Sequence, residues 1–186
     1  SPVINIASDV RWGRTEETYG EDPFLSAEIG VSFIRAFEEN GIITTPKHFI
    51  ANVGDGGRDS YPIHMSPWFL ERTHLVPFER AIHKAGARSI MTSYNSLNGQ
   101  ACSANSWLLT DKLKKEWDFG GFVISDANAV GGSLVLHHSA DSYVESGVQA
   151  INAGLDVIFQ TDIAHFPLFF PSFPPKGMDT NRINDA

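Results

Sequence analysis

Hydrophobic positions along the chain fall into two alternating kinds of run. The short ones, "PVINIA" (2–7), "IITTPKHF" (42–49), "RSIMTSY" (88–94), "FVISD" (122–126) and "LDVIF" (155–159), predict five strands. Between them lie longer amphipathic stretches. "EDPFLSAEIGVSFIRAFEENG" (21–41) predicts a helix with Asp22 as N-cap, Pro23 at its first position and Gly41 closing it. Ile29, Phe33 and Phe37 recur at a four-residue step, and we expect them to form its buried stripe. "PWFLERTHLVPFERAIHKAG" (67–86) opens at Ser66-Pro67 and must break or kink at Pro77, which lacks a donor and clashes one turn back. "WLLTDKLKKEWDF" (107–119), with Thr110 as a cap partway along, and "DSYVESGVQAINAG" (141–154), ending at Gly154, complete the helices. "FPLFFPSFPPKGMDTN" (166–181) reads as a packed loop.

Strands alternating with covering helices call for an α/β fold with a parallel sheet. A doubly wound open sheet and a (β/α)8 barrel both satisfy the pattern. Polar residues at the strand ends favour the barrel. The first strand leads into Asp9, Arg11 and Arg14; the second ends in Lys47-His48, the third in Ser93-Tyr94-Asn95, the fourth in Ser125-Asp126, and the fifth in Gln160 and Asp162. An open sheet gathers ligand groups at one switch point, whereas a barrel brings every strand end to one mouth. A full barrel takes about 250 residues. Five strands in 186 residues therefore predict a partial or truncated (β/α)8 TIM-type barrel, residues 1–186 forming a single domain with the active site at the strand C-terminal ends. Both ends of the sequence look cut, as in a portion of a longer polypeptide.

Composition narrows the partners. A formal charge of −8 argues against nucleic acid or an anionic membrane surface. No apolar run is long enough for a transmembrane helix. One cysteine, Cys102, excludes an internal disulfide framework and a thiolate zinc site. His137, His138 and Asp141 resemble a metal cluster only superficially, because the i, i+4 histidine pair of a helical site is missing; no metal is expected. The "VGDGG" loop (53–57) lacks the lysine of a phosphate-binding loop.

The sharpest chemical candidate is Asp126, a carboxylate ending a core strand among small residues. It could be a nucleophile, a base, a metal ligand, or a cap for the next segment. Arg14, Lys47 and His48 should reach the same mouth. Cations beside a carboxylate hold it ionised, as a nucleophile requires. Arg14 offers a planar fork for substrate hydroxyls while the acidic residues around it fix its loop. Lys47 and His48 supply donors for vicinal hydroxyls, although a structural histidine is the commoner case. Tyr94 could orient Asp126 or be an ordinary buried tyrosine. Met91 reads as core from its own pattern and is counted among the candidate substrate-binding residues as well. Trp12 lies close enough to the mouth to matter, while Trp68, Trp107 and Trp117 read as packing residues.

"RWGRTEETYGEDP" (11–23), "KHF" followed by "AN" (47–52), "MTSYNSLNG" (91–99), "LLTDKLKKEWDFGGFVISD" (108–126) and "NAGLDVIF" (152–159) resemble, in order, the N-terminal barrel domain of glycoside hydrolase family 3. The resemblance implies an exo-acting β-glucosidase or β-xylosidase that retains anomeric configuration and uses no cofactor. It implies Asp126 as the nucleophile, with Arg14, Lys47, His48 and Tyr94 binding the sugar. It places the acid/base in none of these residues but in a glutamate of a C-terminal sandwich domain of the same polypeptide. A secreted or periplasmic location follows from the same resemblance. Ala127 departs from the family pattern, which often has tryptophan directly after the nucleophile; this leaves subsite shape and substrate choice open. Two other readings stay open. One is an inactive carbohydrate-binding fragment or pseudoenzyme. The other is a β-N-acetylglucosaminidase with a histidine acid/base, against which "RDSYPIH" (58–64) has Tyr61 where that histidine would stand and His64 displaced.

Overall fold

The computed structural model describes residues 1–54, 61–160 and 166–185. Its centre is a run of parallel segments that pair in chain order. Val3 bridges Lys47, with Ile4 N donating to Lys47 O and Lys47 N donating to Pro2 O. The second segment pairs with the third through Phe49 and Thr92, Phe49 N donating to Met91 O at 2.7 Å. The Lys47–His48 and Phe49–Ile50 peptides are cis. Ladder pairing is regular only between the third and fourth segments, where Ser89–Met91 (β2) lies parallel to Phe122–Ile124 (β5). Ile124 in turn bridges Val157 in the fifth segment. The fold is thus α/β with parallel strands, as expected, but the strands are shorter than the apolar runs suggest, and the outer segments meet through single bridges.

A second, small sheet was not anticipated. Pro62–Ile63 (β1) runs parallel to Ser96–Leu97 (β3), which turns back on Gln100–Ala101 (β4). The turn is Asn98-Gly99, both at positive φ (50° and 90°), the two-residue hairpin connection that Asn-Gly favours.

Helix α1 spans Pro23–Glu38, and the Asp22 carboxylate accepts from Leu25 N at 2.7 Å, the cap read from sequence. Its buried face is not the predicted one. Ser26, Ala27, Gly30, Val31 and Ile34 face the core, while Ile29 and Phe37 are each 38% exposed. The reason is proximity. A Cβ on Gly30 would stand 2.9 Å from Ile4 Cγ2, so small residues let the helix backbone close onto the first segment. Phe33 and Phe37 pack on each other instead, their rings tilted by 32° with centroids 4.8 Å apart.

The 67–86 stretch breaks as Pro77 requires, into α2 (Pro67–Arg72) and α3 (Val76–His83), with Pro77 in the first turn of α3. Trp107–Glu116 is π-helical, and Thr110 does not cap it. Its hydroxyl donates to Ala153 O at 2.8 Å, tying the segment to the end of helix α5 (Tyr143–Ala153). Gly154 closes α5 at φ 117°, as expected. Between β5 and α5 lies the short α4 (Gly132–Val135). The tail is more than a loop: it holds short helices Phe166–Phe169 (α6) and Thr180–Asp185 (α7), and Phe169 packs edge-on against Tyr143 at 5.5 Å.

The core lies between the parallel array and these helices. Fully buried Phe49 meets Phe78 of α3 at 5.1 Å and Trp117 at 6.0 Å. Ile4, Ile90, Val123 and Leu155 come from the four other segments. A cavity of about 570 Å³ opens where the strands begin, lined by Ile43, Arg88, Gly121 and Phe122 among others. Asp126 follows β5 and therefore stands at the other end.

Candidate active site

Three side chains from three parts of the chain meet at the strand C-terminal ends. The loop after the first segment delivers Arg14, the second segment His48, and the end of β5 Asp126. Arg14 Nη1 lies 2.8 Å from His48 Nε2, and His48 Nε2 lies 3.5 Å from Asp126 Oδ2. His48 is fully buried. Arg14 grips Glu17 with Nε and Nη2 on the two carboxylate oxygens, the fork geometry that lysine cannot reproduce. That pair pushes the Arg14 guanidinium above its ordinary range, with smaller pushes from Asp126 and Tyr94. The acidic loop around Arg14 thus holds it in place. Its neighbour Arg11 turns outward to Asp9, whose carboxyl it lowers to about 2 through a side-chain hydrogen bond.

Asp126 is held by its own turn. Ala127 N donates to Oδ1 at 2.7 Å, and Ala129 N donates to the Asp126 carbonyl. Oδ2 is buried and has no hydrogen-bond partner among the described residues. The residue is only 8% exposed, so its small neighbours do not leave it open to solvent. The carboxylate is turned inward, one oxygen to a backbone amide and the other toward His48.

The remaining sequence candidates divide. Tyr94 is half-buried, and its carbonyl accepts from His137 Nε2 at 2.8 Å. His137 is therefore tied to the Tyr94 loop. Among the described residues no group of three His, Cys, Asp or Glu side chains could hold a metal ion. Met91, at the end of β2, is half-buried rather than core. Lys47 is half-buried, and its ammonium is not hydrogen-bonded or ion-paired to Asp126 among the described residues. Trp12 is a buried residue whose indole N–H donates to Asn52 Oδ1 at 3.2 Å. Trp68 and Trp107, read as packing residues, are 66% and 38% exposed, whereas Trp117 is buried. Gln160 Oε1 is buried without a partner among the described residues, and Asp162 lies outside them. Tyr61 packs over Gly54 and His64 is exposed, while residues 58–60 lie outside the described residues. Two residues were missed. Asn5 holds the His48 backbone on both sides, and Asn52 receives Trp12. A polar residue inside an apolar strand run was the available signal for Asn5.

Residues 1–165 match the Glycosyl hydrolase family 3 N terminal domain. The chain belongs to glycosyl hydrolase family 3. A β-xylosidase of Formosa agariphila is 38% identical to this family 3 chain over 84% of its length, and a periplasmic β-glucosidase of Salmonella typhimurium is 32% identical over all of it. The solved β-glucosidase of Erythrobacter marinus superposes on the whole chain with a TM-score of 0.91 at 31% identity. The chain spans about a quarter of each: 23%, 25% and 26% respectively.

Proposed function

We propose that this family 3 domain is the catalytic part of a retaining exo-acting β-glycosidase that removes terminal non-reducing β-D-glucosyl or β-D-xylosyl units, with Asp126 as nucleophile. The observation that carries the reading is the Asp126 carboxylate itself: Oδ1 fixed by the Ala127 amide, Oδ2 without a hydrogen bond among the described residues and facing the His48–Arg14 pair. Five parallel segments in chain order support reading them as successive staves of a partial (β/α)8 barrel, whose mouth would be the end where Asp126 stands. Arg14, Lys47, His48, Tyr94 and Met91 would hold the sugar hydroxyls and ring.

In the first step Asp126 attacks the anomeric carbon, the glycosidic C–O bond breaks, and the leaving oxygen takes a proton from a general acid. In the second, water attacks the same carbon, gives a proton to that second carboxyl, and releases Asp126 from its ester. We assign the acid/base to a glutamate of a C-terminal sandwich domain of the same polypeptide, brought to about 5–5.5 Å from Asp126 as retention requires. The substrate is a small carbohydrate, with no organic cofactor, nucleic acid or membrane partner. The name of the periplasmic relative supports a secreted or periplasmic location, and no helix among the described residues is long and apolar enough to cross a membrane.

Replacing Asp126 by glycine tests this. Hydrolysis of an aryl β-glucoside should fall by about a thousandfold or more, the scale of a single catalytic group. Added azide should restore turnover and yield the α-glycosyl azide, because it takes the vacated side of the sugar. A β-azide product, or hydrolysis that persists without azide, would refute the assignment.

A further inference from the structure

Asn5 is 2% exposed and spends its whole amide on one residue. Its Oδ1 accepts from His48 N at 2.7 Å and faces His48 Nδ1 at 3.0 Å, while its Nδ2 donates to His48 O at 2.8 Å. A carbonyl can only accept, so the atom facing His48 O is the amide nitrogen and the other terminal atom is oxygen. That oxygen cannot donate, so Nδ1 carries the ring proton. Across the ring, Nε2 lies 2.8 Å from Arg14 Nη1, which can only donate. Nε2 therefore holds a lone pair. The imidazole is neutral, and its tautomer is fixed from both sides.

The consequence falls on Asp126. Its Oδ2 lies 3.5 Å from Nε2 and has no hydrogen-bond partner among the described residues. With a lone pair at Nε2, the ring has no N–H to offer it. We infer that Asn5 is a positioning residue that holds His48 in its neutral Nδ1–H form and so keeps Asp126 Oδ2 clear of a donor that would damp its attack. The role in attack rests on the reading of Asp126 as nucleophile; the tautomer does not. Among the described residues Arg14 and Asp126 are charged groups facing the ring, Glu17 and Tyr94 act through Arg14, and Lys47 adjoins it in the chain.

Asn5→Asp retains the acceptors but sets a negative charge beside Nδ1, which favours the doubly protonated ring. Its Nε2–H would then oppose Arg14 and donate to Asp126. The measurement is the rate at which an activated 2-deoxy-2-fluoro glycoside labels the protein between about pH 5 and 8, the range in which histidine changes charge. This half-reaction needs no general acid, because the leaving group departs unaided. The variant should label about tenfold or more slowly than the parent at the acid end and converge on it at the alkaline end. A constant fractional loss at every pH is what structural damage gives, and it overturns the inference.

A nitrogen-15 spectrum of the His48 ring, assigned with His48→Gln, reads the tautomer in the unaltered protein without any turnover. The Nδ1–H form is expected, and a ring protonated at Nε2 overturns the inference whatever the variants do. The expected tautomer in a protein that never labels would refute the nucleophile reading instead.

Discussion

Arg14 joins three groups at once: Glu17 through a two-point grip, His48 through Nη1, and Asp126 through its field. Lysine offers one charge centre and no fork. Arg14→Lys should therefore lower kcat/KM about tenfold or more, the loss of one charged hydrogen bond at about 1.5–3 kcal/mol. Steady-state kinetics on an aryl β-glucoside check this, and unchanged kinetics would remove Arg14 from the site. A second residue acts on stability alone. His74, between α2 and α3, is 2% exposed, has both ring nitrogens without partners among the described residues, and sits edge-on to Phe69 at 5.9 Å. Burial pushes it from 6.5 down to about 4. The unfolded chain thus binds a proton first as pH falls, so the folded state loses stability from about pH 6.5 toward 4 and gains nothing from this group above that window. The shift corresponds to about 3 kcal/mol. Urea midpoints at several pH values should show His74→Leu losing less stability than the parent across that window; equal slopes would contradict the account.

Among the elements, caps and breaks were legible because they depend on a few neighbouring residues. Asp22, Pro77 and Gly154 act where the sequence puts them. The buried face of α1 was not legible, since the four-residue step of Ile29, Phe33 and Phe37 competes with a row of small residues whose value appears only when Ile4 is known to lie against Gly30. The Asn98-Gly99 hairpin carried a strong local turn signal and was still missed, its strands being two residues each. At the site, Asp126, His48 and Arg14 stood out as polar strand ends, whereas Asn5 is buried within a strand run and gains meaning only across the 43 residues that separate it from His48. Close packing also governs the entry to β5. A Cβ on Gly121 would stand 2.3 Å from Arg88 O and 2.6 Å from Phe119 Cζ. Gly121→Ala should destabilise the protein by about 1–3 kcal/mol or more, as overpacking does. Denaturant titration decides it, and a neutral result would mean the backbone there gives way.

Across the whole molecule, the two ends of the parallel array differ in character. Where the strands begin there is a cavity of about 570 Å³ beside Gly121 and Phe122. Where they end, charged and polar side chains from separate segments converge on one carboxylate. The net charge of −8 does not oppose a neutral sugar, and at the site Glu17 neutralises the Arg14 cation. Everything proposed about function depends on that carboxylate forming a bond to an anomeric carbon. The most direct measurement is peptide mapping by mass spectrometry after incubation with a 2-deoxy-2-fluoro-β-glucoside bearing a good leaving group. One fluoroglucosyl unit attached at Asp126 is the predicted result; a label on any other residue, or none while the protein still binds glucose, would contradict it.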